Sequence, residues 1–148
     1  MKSGFIEYFD FIRLPTTISK YISQHILAIP RFYDKDLIDI FISQKPNGAE
    51  YNQLLLISEN QLIFILNILN NPEFHIVPLT KAITYLKIIP NNKYNFEDSV
   101  EEAMLSVSIS IAGGELYLEP LIARGNNCDK LLEITKKYLI PNVVDMID

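Results

Sequence analysis

The chain has 148 residues, of which 49% are hydrophobic and 21% charged, with a formal net charge of -5. That length suits a single domain able to bury a core without a metal or disulfide, and the composition is that of a globular chain. The acidic balance and the absence of any Lys/Arg-rich run exclude sequence-independent nucleic-acid binding, and the single cysteine, Cys128, excludes an internal disulfide and agrees with a reducing compartment.

Residues 3–14 place Phe5, Ile6, Phe9 and Ile12 at helical spacing, with Glu7, Asp10 and Arg13 turned away and Pro15 as the stop. Thr16 or Thr17 caps a second expected helix whose apolar face is Ile18, Tyr21, Ile22, His25, Ile26 and Ile29, ended by Pro30. Two amphipathic helices in series could anchor a protein to a membrane surface. Their polar faces lack the basic excess of such anchors, so packing onto the rest of the domain is the favoured reading. Lys2 is followed by Glu7 and Asp10, which is not the start of a signal peptide. The longest nearly apolar run, Leu62 to Leu69, contains Asn67 and is too short to span a bilayer. A cytoplasmic location follows as the expectation.

From Leu37 the pattern becomes that of strands. Leu37–Ser43, Tyr51–Ile57, Gln61–Leu66, Phe74–Leu79 and Ala82–Ile89 are expected strands, separated by Lys45-Pro46-Asn47-Gly48, Ser58-Glu59-Asn60 and Asn70-Asn71-Pro72, with Pro78 marking an edge or bulge. Asn91 to Glu102 reads as the one long loop, and Ser99 with Glu102 has capping-box spacing for a single helical turn. Val107, Ile109 and Ile111 alternate with Ser106, Ser108 and Ser110 in a sixth strand, and Gly113-Gly114 supplies a turn. Leu116–Glu119 is the expected seventh strand, ended by Pro120. Asn126-Asn127 then offers an N-cap to a closing helix with Cys128, Leu131, Leu132, Thr135, Tyr138 and Leu139 on one face and Pro141 as its stop.

The fold expected is therefore α+β: a seven-stranded, strongly bent antiparallel sheet or barrel with a C-terminal capping helix and two N-terminal helices. Residues 1–148 form one domain in this reading, 1–36 as the helical segment and 37–148 as the sheet and closing helix. Leu54-Leu55-Leu56-Ile57 and Leu62-Ile63-Phe64-Ile65-Leu66 are apolar at every position, so this hairpin needs cover on both faces. The N-terminal helices are the favoured cover. A homodimer through the Leu54–Leu66 hairpin is the alternative.

Three stretches resemble the pleckstrin-homology-like fold in its small bacterial and GRAM-like members. Leu55-Leu56-Ile57-Ser58-Glu59-Asn60-Gln61-Leu62-Ile63-Phe64 looks like the family's strand–turn–strand hairpin. Ile76-Val77-Pro78-Leu79-Thr80-Lys81-Ala82-Ile83 looks like its step into the next strand, and Asn127-Cys128-Asp129-Lys130-Leu131-Leu132-Glu133-Ile134 like its closing helix. Gln61 stands where the family usually has Lys or Arg, and no tryptophan is present. Members that bind phosphoinositides gather cations on the first strands and their loop; here only Lys45 on the first turn and Glu59 on the second are available, so headgroup binding is disfavoured. The resemblance then implies the family's other habit, a scaffold for protein contacts or self-association.

His25 and His75, without Cys or carboxylate at ligand spacing, make no zinc signature. Cys128 sits at the first turn of the closing helix, where an accessible thiol would have a lowered pKa and could serve a thiol-dependent enzyme; its alignment with Leu131 and Leu132 favours a small core residue instead. The acidic set Glu97, Asp98, Glu101 and Glu102 lacks the spacing and glycine of a calcium loop. With Tyr94 and Phe96 beside it, this set is the candidate partner-binding surface, two aromatics rimmed by carboxylates. The expectation is a non-enzymatic, intracellular protein-interaction module with no catalytic residue, metal or cofactor. A weak membrane-surface or lipid-binding module and a Cys128 enzyme are the alternatives.

Overall fold

The computed structural model describes residues 3–28, 37–45, 50–95, 100–111 and 118–144; for 91–95 and 100–102 it describes the backbone alone. Two compact units divide the chain. One holds Met1–Ile42 and Tyr51–Val77, the other Ser43–Glu50 and Pro78–Asp148.

In the first unit, helix α1 spans Ser3–Phe11 and buries Phe5, Tyr8 and Phe9, which recur at the three- and four-residue spacing of one helical face. Ile6, expected on that face, is 43% exposed, because it lies about 100° around the helix from Phe5. The helix ends in a Schellman arrangement: Arg13 N–H donates to Asp10 C=O (3.1 Å) and Leu14 N–H to Phe9 C=O (2.9 Å), with Arg13 at φ 57. Helix α2, Thr16–Tyr21, has Pro15 at its N-cap, and neither Thr16 nor Thr17 caps it through a side chain. A π-type turn over Ile22–Ile26 continues it, with Leu27 N–H bonded to Ile22 C=O at 2.9 Å. Ile22 and Ile26 are buried, whereas His25 is exposed and lies against the Tyr21 ring at 4.7 Å. The wider turn takes His25 off the apolar stripe that a regular helix would give it. Ile29 and Pro30 lie outside the described residues.

Strands β1 (Leu37–Gln44), β2 (Tyr51–Ser58), β3 (Gln61–Leu66) and β4 (Glu73–Pro78) form a sheet in that order. β2 and β3 pair antiparallel from Gln53 opposite Leu66 to Ile57 opposite Leu62. Leu54 to Ile57 are all buried, as are Leu62 to Ile65, so both faces of the hairpin are covered within the single chain. As inner strands, β2 and β3 have no free edge either. In α1 the buried residues are Phe5, Tyr8 and Phe9 and in the segment after it Ile22 and Ile26, while Ile6 and Phe11 are exposed and Ile12, Ile18 and Tyr21 half-buried. One polar residue of the hairpin breaks this pattern: Gln53 is 1% exposed, and neither its carboxamide nitrogen nor its oxygen has a hydrogen-bond partner among the described residues.

The outer edge of β1 is closed by side chains. Lys45 N–H bonds Glu50 C=O at 2.7 Å across the β1–β2 turn, so alternate residues of β1 turn their backbone groups away from β2. On that outer side Ile42 N–H donates to the Tyr8 hydroxyl (3.1 Å) and Ile40 N–H to Asp39 Oδ1 (2.9 Å). These bonds satisfy donors that would otherwise be offered to another strand.

In the second unit, β5 (Ile83–Asn95), β6 (Val100–Ile111) and β7 (Leu121–Arg124) form a three-stranded antiparallel sheet. Seven strands are thus present among the described residues, but as sheets of four and three. The single seven-stranded sheet or closed barrel expected from the sequence is not what the described residues form. The ladder stops between β4 and β5, where Lys81 takes φ 50, a left-handed conformation no continuing strand holds. The seventh strand is also displaced. Leu118 and Glu119 are not in a strand, and Pro120 precedes β7 instead of ending it, a position where its missing N–H does no harm. Gly113-Gly114, Leu116 and Tyr117 lie outside the described residues.

Helix α3, Asn127–Ile134, packs on β6 and β7 and continues through a π-type turn, Thr135–Leu139, and a 3-10 turn, Ile140–Asn142, that contains Pro141. Leu131, Ile134, Thr135, Tyr138 and Leu139 are buried. Leu132, expected on that face, is 38% exposed, and Ile134 takes its place three residues after Leu131. Asn126 occupies the N-cap without a side-chain bond to the helix. Asn142 fastens the far end: its Nδ2 donates to Tyr138 C=O (2.7 Å), and its Oδ1 accepts from Lys81 N–H (3.2 Å).

The outer edge of β7 is closed as β1's is. Ser43 Oγ accepts from Ile122 N–H at 2.8 Å, and Gln44 Oε1 accepts from Arg124 N–H at 2.8 Å. Ser43, read as the last residue of the first expected strand, and Gln44 beside it are both buried.

Candidate functional site

The expected loop Asn91–Glu102 is mostly strand. Asn91–Asn95 belongs to β5 and Val100–Glu102 to β6, in register as Asn91 opposite Met104, Asn92 opposite Ala103, Lys93 opposite Glu102, Tyr94 opposite Glu101 and Asn95 opposite Val100. The capping-box turn at Ser99–Glu102 does not form, since Val100–Glu102 is extended. Pairing decides this: the alternation Ala103, Leu105, Val107, Ile109, Ile111 runs on past the serines, and it carries β6 to a partner in which Lys93 opposes Glu102. Local preference of asparagine for turns yields to that ladder.

β7 covers β6 only from Met104 to Val107. Gly125 N–H still donates to Ala103 C=O at 2.9 Å, and beyond that point β5 and β6 are a two-stranded arm, Lys93–Asn95 against Val100–Glu102. Of the six candidate residues, Tyr94, Glu101 and Glu102 stand on this arm, the first two directly opposed in register. Phe96, Glu97 and Asp98 lie outside the described residues, as does Ser99.

Cys128 is half-buried at the start of α3, its Sγ donating to Ala123 C=O at 3.4 Å. Burial pushes its thiol above the ordinary value, and the Asp129 carboxylate adds to the rise; a backbone hydrogen bond with Leu105 and the Arg124 charge act the other way without offsetting them. The lowered pKa that a helix N-terminus could give is therefore not realised. His75 Nε2 lies 3.0 Å from Glu73 Oε2, on an exposed part of β4. Among the described residues no three His, Cys, Asp or Glu side chains gather where they could hold a metal ion. No helix among them is long and apolar enough to cross a membrane. Lys45, the cation of the first turn, is paired with Glu50 at 3.1 Å.

Sequence reasoning passed over one surface. Tyr85 (57% exposed), Ile88 (38%) and Ile89 (42%) leave large apolar area on β5, flanked by exposed Lys87 and Pro90. The signal was there in Pro90, which marks an edge strand. Comparison of the chain with family models, curated proteins and solved structures finds no match.

Proposed function

We propose that this chain is a non-enzymatic interaction module of the pleckstrin-homology-like kind, working inside the cell and binding a protein partner through the β5–β6 arm. The observation that carries the reading is the arm itself, which runs past the end of β7 and bears Tyr94, Glu101 and Glu102. Tyr94 with Glu101 opposite it in register, and Glu102 next along the strand, suits a basic partner surface, with Phe96, Glu97 and Asp98 adjoining in sequence. The family likeness rests on the three sequence stretches that resemble it. A headgroup role draws less support, because Lys45 is already paired. The Cys128 enzyme draws less because its thiol is held protonated. A second copy at the Leu54–Leu66 hairpin finds no exposed apolar face there.

The test places a photo-crosslinking residue at Tyr94 in the native cell. A partner crosslinked there is expected to be lost on Glu101→Lys with Glu102→Lys, while circular dichroism and melting stay unchanged. Capture unaffected by the double reversal overturns the assignment.

A further inference from the structure

The outer edge of β5 is a second surface, and the register fixes which of its backbone groups turn away from β6. Ile122 N–H points away from β6, to Ser43, so in the Ser106–Ile122 pair the groups of Ser106 point the other way, toward β5. Antiparallel ladders alternate. Lys87 and Ile89, opposite Ser108 and Ser106, therefore turn their groups to β6, and Leu86, Ile88 and Pro90, opposite Ile109, Val107 and Leu105, turn theirs outward. Ile83, before the bulge, also faces outward. There the chain supplies its own neighbour: Val143 pairs with Ile83 in parallel, and Val144 N–H donates to Ile83 C=O at 2.7 Å.

The remaining edge is short and bounded. Val143–Val144 closes one end, and Pro90, with no N–H, closes the other. Between them stand the N–H and C=O of Leu86 and Ile88 and the C=O of Pro90, room for a strand of about five residues. Tyr85, Lys87 and Ile89 share one face of it, and all three are exposed. Lys87 has no ion-pair partner among the described residues.

A second copy fits this edge badly. Two-fold antiparallel pairing about Lys87 sets lysine against lysine, a destabilising opposition. Pairing about Leu86 runs the partner across the seat of Val143–Val144, and pairing about Ile88 sets Leu86 against donorless Pro90 at both ends. We propose instead that the edge takes a short extended segment of a partner protein by strand addition, apolar beside Tyr85 and Ile89 and acidic beside Lys87. This surface is separate from the arm's carboxylates, so reversal at Glu101 and Glu102 leaves it intact and either reading can fail alone.

The probe is the blocked pentapeptide Val-Thr-Glu-Thr-Val at millimolar concentration, and the readout is hydrogen exchange at the Leu86 and Ile88 amides of the full chain. Protection of both by about tenfold is expected. A peptide with lysine at its centre is expected to bind about tenfold more weakly. Ile88→Pro, which copies the tolerance already shown at Pro90, is expected to abolish binding with the fold retained. Should that variant fail to fold, a backbone N-methylated peptide that cannot pair decides the matter. Unchanged exchange at both amides, equal protection by the N-methylated peptide, or protection that rises with protein concentration alone would each overturn the proposal.

Discussion

The hydroxyl oxygen of Ser43 accepts the Ile122 N–H at 2.8 Å, so a side chain stands where a fourth strand of the β5–β6–β7 sheet would otherwise pair. Ser43 is fully buried, and removing its oxygen leaves a backbone donor with no water to turn to. Ser43→Ala is expected to destabilise the fold by about 1–3 kcal/mol in denaturant unfolding. A loss of only a few tenths would mean that the N–H finds another acceptor.

Gln53 presents the opposite case. Its carboxamide is buried in β2 with both polar atoms unpartnered among the described residues, an arrangement that opposes folding. Gln53→Met, of similar volume and without polar atoms to satisfy, is expected to raise stability by about 1–3 kcal/mol, read as a higher denaturation midpoint at unchanged slope. A lower midpoint would show that the amide bonds an ordered water.

At Arg13 the backbone alone is at issue. A φ of 57 two residues past the end of α1 is where glycine is normally found, and a side chain there strains the turn. Arg13→Gly is expected to stabilise by about 0.5 kcal/mol, the relief of strain exceeding the added freedom of the unfolded chain. Thermal melting of the two proteins side by side checks the sign.

For Cys128 the expectation concerns pH. Its folded pKa lies above that of the unfolded thiol, so the native state holds more protons between the two values. Stability contributed by the neutral thiol is complete below the unfolded pKa and is lost as pH rises through the folded one. Alkylation by iodoacetamide should follow the same order, with a midpoint higher in the native protein than in denaturant. A native midpoint below the unfolded one would revive the nucleophile reading.

The sequence disclosed those parts of the fold that depend on neighbours in the chain. Serines alternating with Val107, Ile109 and Ile111 mark β6 without ambiguity, and Leu54–Ile57, apolar at every position, announce a strand buried on both faces. What stayed hidden depends on residues far apart. Nothing near Asn91–Asn95 says that Lys93 will meet Glu102, and nothing near Ser43 and Gln44 says that Ile122 and Arg124 need acceptors. The π-type turns at Ile22–Ile26 and Thr135–Leu139 shift the helical phase, so counting by 3.6 carries His25 to the wrong side. Of the candidate surface, the residue types were readable, but the pairing that sets Tyr94 opposite Glu101 was not.

The arm has a bearing on how variants should be judged. A ribbon only two strands wide is expected to open and reclose at a free energy well below that of unfolding the unit that carries it. Substitutions at Tyr94, Glu101 or Glu102 should therefore barely register in global melting, and a mutational scan scored on abundance would pass over the positions proposed here for partner contact.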